Sequence, residues 1–109
     1  MREAYTAVIA RAEPWSGVIL TEPYETGWAG EVIIFALALE SLDADVTLKT
    51  LISPDGINWV EDGSAFVLPR EKGKLGFLKL RHFGHFLRFT AEMPPGKIGK
   101  FVLSLALKE

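Results

Sequence analysis

Apolar and polar side chains alternate along most of this chain with a period of two residues. In residues 86–93, four apolar side chains fall on one parity, whereas Phe86, Arg88, Thr90 and Glu92 fall on the other. A period of two is typical of a β-strand with one face buried. The same alternation, sometimes weaker, recurs in the other strands that we predict, at residues 3–12, 18–21, 31–42, 46–52, 57–60, 65–68, 75–81 and 98–107.

Turn signals separate these runs at fairly regular intervals, including Glu-Asp-Gly-Ser at residues 61–64 and Pro-Pro-Gly at 94–96. A short helix is an alternative for residues 3–12 because of their alanines, but threonine, valine and isoleucine weaken a helix there. The pattern predicts an all-β fold, an antiparallel β-sandwich or jelly roll of about eight short strands. No linker or repeat divides residues 1–109, so we expect a single β-sandwich domain.

Residues 31–42 are apolar on both parities. Ile33, Phe35 and Leu37 alternate with residues that are apolar too, among them Ala36 and Ala38. So short a run fits either a strand buried on both faces or a helix over 32–41. The β-branched residues at its start and Gly30 before it favour the strand. The two alanines would then let a neighbour approach closely.

The stretch Ser53-Pro54-Asp55-Gly56-Ile57-Asn58-Trp59 predicts a tight hairpin at the centre of the chain. Pro54 presets φ for the second position of a type I turn, Asp55 suits the third, and Gly56 tolerates a positive φ. Such a turn followed by a left-handed residue closes many hairpins. We expect Trp59 to pack back over the incoming strand.

Composition places limits on the class of protein. The chain has 49% hydrophobic residues and no cysteine, which excludes disulfides and cysteine metal sites. Its N-terminus lacks the apolar core of a signal peptide, and its longest apolar run is too short to span a bilayer. We expect no membrane association and a virion location if the protein is viral, or otherwise a cytoplasmic one. A single asparagine and no glutamine suggest a thermophilic source.

Charge is divided unevenly along the chain. Residues 1–69 carry a net charge of −8, whereas residues 70–109 carry +6. If the two parts occupy different faces, copies could pack head to tail or against a larger assembly. The basic residues that we assign to interaction are Arg70, Lys72, Lys74, Arg81 and Arg88, with Lys79 among them.

This basic cluster also fits nucleic-acid binding, because basic grooves with stacking aromatics recur in such proteins. The chain as a whole has a net charge of −2, which disfavours that alternative. Trp15, Tyr24 and Trp28 are loop aromatics that either cap the core or face a partner. They would serve a carbohydrate-binding module, which is the second functional hypothesis.

Motifs for catalysis are weak. His82 and His85 have no third ligand nearby in sequence, so we predict no metal. Glu61 and Asp62 would point to opposite faces of a strand and do not form a paired-carboxylate site. No nucleophile–base spacing or phosphate-binding glycine loop stands out. We therefore predict a non-enzymatic protein without cofactors.

The hairpin and a later strand resemble a known group of modules. Ser53, Asp55, Gly56 and Trp59 match an S-x-D-G-x-x-W hairpin, and Gly-His-Phe-Leu-Arg-Phe at residues 84–89 matches the strand that follows it. Over residues 31–109 the chain resembles small β-sandwich modules of phage and prophage structural proteins and discoidin-like domains. The resemblance implies the sandwich fold. Together with the charge asymmetry and the absence of catalytic motifs, it leads us to expect a structural or assembly role, such as a capsid decoration or tail-associated protein acting as a homo-oligomer in a thermophilic phage-like particle.

Overall fold

The computed structural model describes residues 4–10, 13–81 and 84–109, apart from the side chain of Tyr5. These residues form ten β-strands joined by turns and loops, and the described ranges contain no helix that could cross a membrane. The strands are β1 (Ala4–Ala10), β2 (Pro14–Trp15), β3 (Val18–Leu20), β4 (Tyr24–Glu25), β5 (Glu31–Ala38), β6 (Thr47–Ser53), β7 (Val60–Val67), β8 (Leu75–Leu80), β9 (Phe86–Glu92) and β10 (Gly99–Lys108).

The strands form two five-stranded antiparallel sheets. The first sheet has the order β1-β10-β5-β8, with β2 also paired to β10. The second sheet has the order β3-β9-β6-β7, with β4 also paired to β9. The two sheets pack face to face, which confirms the predicted all-β sandwich with ten strands rather than about eight. The two additional strands, β2 and β4, contain two residues each.

The core lies between the inner faces of the two sheets. In β10, four alternate residues from Phe101 to Leu107 are fully buried, and in β9 Leu87, Phe89 and Ala91 are buried. The period of two therefore arises because one face of each strand meets the opposite sheet.

Residues 31–38 form strand β5 rather than the alternative helix. The burial of its two faces, however, differs from the expectation. The inner face carries Val32, Ile34, Ala36 and Ala38, all buried, so the alanines approach the opposite sheet rather than an outside neighbour. The outer face, which includes Phe35, is only partly covered. The prediction of a strand buried on both faces is wrong within this chain, because no element of its described part lies over that outer face.

The turn predicted at residues 61–64 is a β-bulge inside β7. The pairing with β6 jumps from Lys49↔Ala65 to Leu51↔Glu61, so three residues of β7 oppose Thr50. Gly63 has φ 91°, and the Asp62 carboxylate accepts a hydrogen bond from the Ser64 N–H at 2.7 Å. Turn-forming residues can bend a strand locally without ending it, since β-strand pairing resumes on either side.

Candidate interaction surfaces

The central hairpin is held by side chains of its own turn. The Ser53 hydroxyl accepts hydrogen bonds from the N–H groups of Asp55 (3.2 Å) and Gly56 (2.8 Å), and Gly56 has φ 78°. The Asp55 carboxylate accepts from the N–H groups of Asn58 (2.8 Å) and Ile57 (2.9 Å). These two N–H groups, with the Asn58 amide, hold the pKa of the Asp55 carboxyl well below its usual value.

The hairpin lies beside the second sequence element of the family resemblance. Ser53 pairs with Phe86, and the Phe86 ring lies under Gly56. A Cβ at Gly84 would lie 2.8 Å from the Ser53 carbonyl oxygen, so only glycine allows this backbone approach. The two sequence elements therefore form one packed unit. That these two sequence elements identify a family of modules stays a prediction.

Trp59 reaches beyond the incoming strand β6 to a residue of β9. The Arg88 guanidinium lies 4.9 Å from the centre of the Trp59 ring, and its Nε donates to the Thr21 carbonyl at 3.1 Å. Arg88 is half-buried by these contacts. A cation–π pair of this kind fixes both side chains on the outer face of the second sheet.

The loop aromatics do not form one surface. Trp15 is only 4% exposed, and its ring lies 5.0 Å from that of Phe101 in the core. Tyr24 and Trp28 are half-buried and pack against the core near the hairpin end of the sandwich. Only a small part of these rings is open to a partner, and the glycan-binding role predicted for them stays a prediction.

The predicted basic cluster is dispersed by the fold. Arg70, Lys72 and Lys74 occupy the loop between β7 and β8, at one end of the sandwich, whereas Arg81 follows β8 at the opposite end. Arg88 lies on the outer face of the second sheet, and Lys79 lies on that of the first. No single groove collects these residues, which are close in sequence but separated by strand length and sheet face.

Part of the charge asymmetry is paired across the fold. Four ion pairs each join an acidic residue from positions 31–45 to a basic residue from positions 70–100. They are Arg70–Asp45 (3.4 Å), Arg81–Glu31 (3.8 Å), Lys97–Asp43 (2.7 Å) and Lys100–Glu40 (3.6 Å). The Lys97 ammonium lowers the pKa of the Asp43 carboxyl. At these four places, acidic residues of the first part of the chain therefore lie beside basic residues of the last part.

An open cleft at the end opposite the hairpin is lined by Leu42, Asp43, Arg70, Glu71 and Lys97. Its charged groups include both partners of the Asp43–Lys97 pair, and Arg70 bonds to Asp45 and to the Leu42 carbonyl. In the described ranges, no group of three His, Asp or Glu side chains could hold a metal ion. His82 lies outside the described residues.

The surface that sequence reasoning missed is the outer face of the first sheet. Outward-facing residues of β1, β10, β5 and β8 form the apolar sheet face, whose apolar members are Val8, Ile33, Phe35, Leu37, Leu75, Phe77, Val102 and Ala106. Lys79, Lys100 and Ser104 also lie on this face. Phe77 is 56% exposed and its ring lies 6.3 Å from that of Phe35. The signal was present in the apolar residues on both parities of residues 31–42.

Two solved structures share this fold along nearly the whole chain. The SPBc2 prophage-derived protein YomS matches with a TM-score of 0.65 and 8% identity, covering 100% of this chain and 96% of YomS. The PBSX exported protein XepA matches with a TM-score of 0.58 and 17% identity, covering 98% of this chain. The chain spans only 36% of XepA. No family model and no curated protein sequence matches the chain.

Proposed function

We propose that this protein is a non-enzymatic structural component of a phage-like particle, acting through contacts with copies of itself and with a larger assembly. The observation that carries the proposal is the agreement of the fold with a prophage-derived protein over the whole of this chain and 96% of that protein. A second prophage protein contains the same fold as about a third of its length.

The chemistry of the surface supports an adhesive role. The outer face of the first sheet exposes large apolar side chains, including Phe77 and Leu75, which suits contact with another protein. Capsid decoration and tail association are the particular roles that we propose.

Quantification of the chain in purified particles tests this function. Particles from the producing strain would be isolated on a density gradient, and the chain measured by mass spectrometry relative to the major shell protein. We expect a fixed number of copies per particle. A chain confined to the soluble fraction would contradict the proposal.

The genes beside the coding sequence give an independent test. Capsid, portal or tail genes would support the structural role. A cluster of polysaccharide-degrading enzymes, together with a glycan-array signal lost in Trp28→Ala, would instead support the carbohydrate-binding alternative.

A further inference from the structure

We propose that the apolar sheet face is covered by the same face of a second copy of this chain, related by a two-fold axis that runs along the strands between β10 and β5. This inference rests on the proposed function for its biological setting. It assigns the surface through which copies of the chain contact each other. Its physical basis is the geometry of the first sheet alone.

The outer faces of the two sheets differ in chemistry. On the second sheet, Lys49, Arg88, Thr90 and Glu92 occupy outward positions of the two central strands, β6 and β9. On the first sheet, the corresponding positions of β5 carry isoleucine, phenylalanine and leucine. An antiparallel sheet that faces water normally alternates apolar and polar residues. The outer face of the second sheet mixes these polar residues with apolar ones such as Val18, Leu20 and Leu51, whereas every outward residue of β5 from Ile33 to Leu37 is apolar, as in a strand covered on both faces.

The size of the face suits a stable pairing. Four strands about 4.8 Å apart and about eight residues long present about 500 Å² of sheet per copy. Two copies would bury at least about 1,000 Å², which is where specific interfaces begin. The apolar residues occupy part of this area, and an apolar patch of a few hundred Å² on a protein surface is often functional.

The face is complementary to itself because its two halves differ in side-chain size. The half formed by β5 and β8 carries large residues, including Phe35 and Phe77. The half formed by β10 and β1 carries small ones, including Ser104, Ala106 and Val8. A two-fold axis along the strands lays the large half of each copy over the small half of the other. Sheets packed in this way lie about 10 Å apart with nearly aligned strands.

The proposed axis gives a defined set of contacts. Phe35 faces Ser104 of the second copy, Ile33 faces its Ala106, and Phe77 faces its Val8. At one margin, Glu31 faces Lys108 of the second copy, and by symmetry Lys108 faces Glu31, since residues i and j exchange roles across such an axis. In the single chain Glu31 and Lys108 are already neighbours across the β5–β10 ladder. Opposite charges therefore face each other at both of these symmetry-related contacts.

The alternative two-fold axis, perpendicular to the strands, is less favourable. It would place Phe35 against Phe35 and Phe77 against Phe77, large residue against large residue. It would also place Lys108 opposite Lys100 of strand β10 in the second copy. The two axes therefore predict opposite effects of changing the charge at position 108.

Matched lysine substitutions test the surface. Sedimentation velocity and light scattering would be measured on the full chain over a range of concentrations. We expect a wild-type dimer, and a dissociation constant raised about 100-fold or more by Phe77→Lys, because each copy then buries a charge in the apolar contact. The control is Val67→Lys, on the outward side of edge strand β7 in the second sheet, where Val67 is 55% exposed. We expect it to leave the dimer unchanged.

Charge reversal tests the axis. We expect Glu31→Lys and Lys108→Glu each to weaken the dimer, and an equimolar mixture of the two variants to restore a heterodimer of wild-type affinity. A stronger dimer in Lys108→Glu alone would overturn the proposed axis in favour of the perpendicular one. Thermal unfolding of each variant would show that the monomer fold is intact.

Two results would overturn the pairing itself. One is a wild-type chain that stays monomeric at the highest concentration reached, and the other is a dimer that Val67→Lys weakens as much as Phe77→Lys. If the wild type is monomeric but Phe77→Lys abolishes incorporation into particles, the face binds a different protein. In that case the proposed function survives and the inference fails.

Discussion

Buried threonines show how single polar atoms are accommodated between the sheets. The Thr21 hydroxyl accepts the Phe89 N–H at 2.9 Å, and it does so in the gap that separates β3 from β4 along β9. Thr26 is fully buried and its N–H donates to the His85 carbonyl at 2.7 Å. Thr50 is also buried, but in the described part of the chain its hydroxyl has no hydrogen-bond partner. It lies opposite the β7 bulge, where regular cross-strand pairing is interrupted.

Thr50→Val should stabilise the fold. Valine has nearly the same shape and removes a buried hydroxyl whose desolvation is uncompensated, which costs about 1–3 kcal/mol. We expect a gain of about 1 kcal/mol, measured by urea unfolding. The matched control is Thr21→Val, which should destabilise because it leaves the Phe89 N–H without its acceptor. Shifts of the same sign in both variants would contradict this account.

At the scale of the element, local turn chemistry was predictable because its contacts lie within a few residues. The positive φ of Gly56 and the backbone hydrogen bonds of Asp55 follow from the Pro-Asp-Gly sequence. The same reasoning was wrong for residues 61–64, where Asp62 and Gly63 produce a bulge. The difference arises because strand β6 pairs with both sides of the bulge, and that pairing depends on residues outside the turn.

The Asp55 turn should make stability depend on acid pH. A carboxyl whose folded-state pKa is depressed contributes stability above its unfolded pKa of about 3.9, and that stability is lost as pH falls towards the folded-state value. Asp55→Asn should therefore unfold more easily at pH 7 and lose less stability between about pH 5 and pH 2 than the wild type.

The measurement is denaturant unfolding across that pH range. Asp43 also has a lowered pKa, because of Lys97, so some acid dependence should persist in the single variant and diminish further when Asp43→Asn is added. An unchanged slope in Asp55→Asn would show that the hairpin carboxylate does not contribute.

At the scale of the whole molecule, the feature that matters for assembly is how the fold distributes charged and apolar residues over its surface. The basic residues that cluster in sequence occupy both ends and both outer faces, so the fold builds no single cationic groove from them. The apolar outer residues come from four strands that are distant in sequence, and the fold brings them together. An extended apolar surface, rather than a charged one, is therefore the molecule's main candidate for assembly.

The composition predicts resistance to heat. The chain has no cysteine or glutamine and a single asparagine, and depletion of these residues accompanies thermophilic sources. We expect a calorimetric unfolding midpoint above about 60 °C, beyond the range in which ordinary domains cluster. Because dimerisation raises the midpoint with protein concentration, Phe77→Lys serves as the monomeric reference. A monomer that unfolds below about 60 °C would contradict the thermophilic origin.

The sequence alone determined the longer β-strands other than β7, most of their boundaries, the central turn and the sandwich class, because period-two alternation and turn chemistry act over short stretches of chain. The doubly apolar residues 31–42 also predicted a strand buried on both faces, but the outer face of β5 is only partly covered within this chain. Only the tertiary structure decided which face of β5 is inside, that Trp15 is a core residue, and that the basic cluster is dispersed. Those outcomes depend on which strands become neighbours in space, and strands as distant in sequence as β1 and β10 pair through contacts that no local pattern encodes.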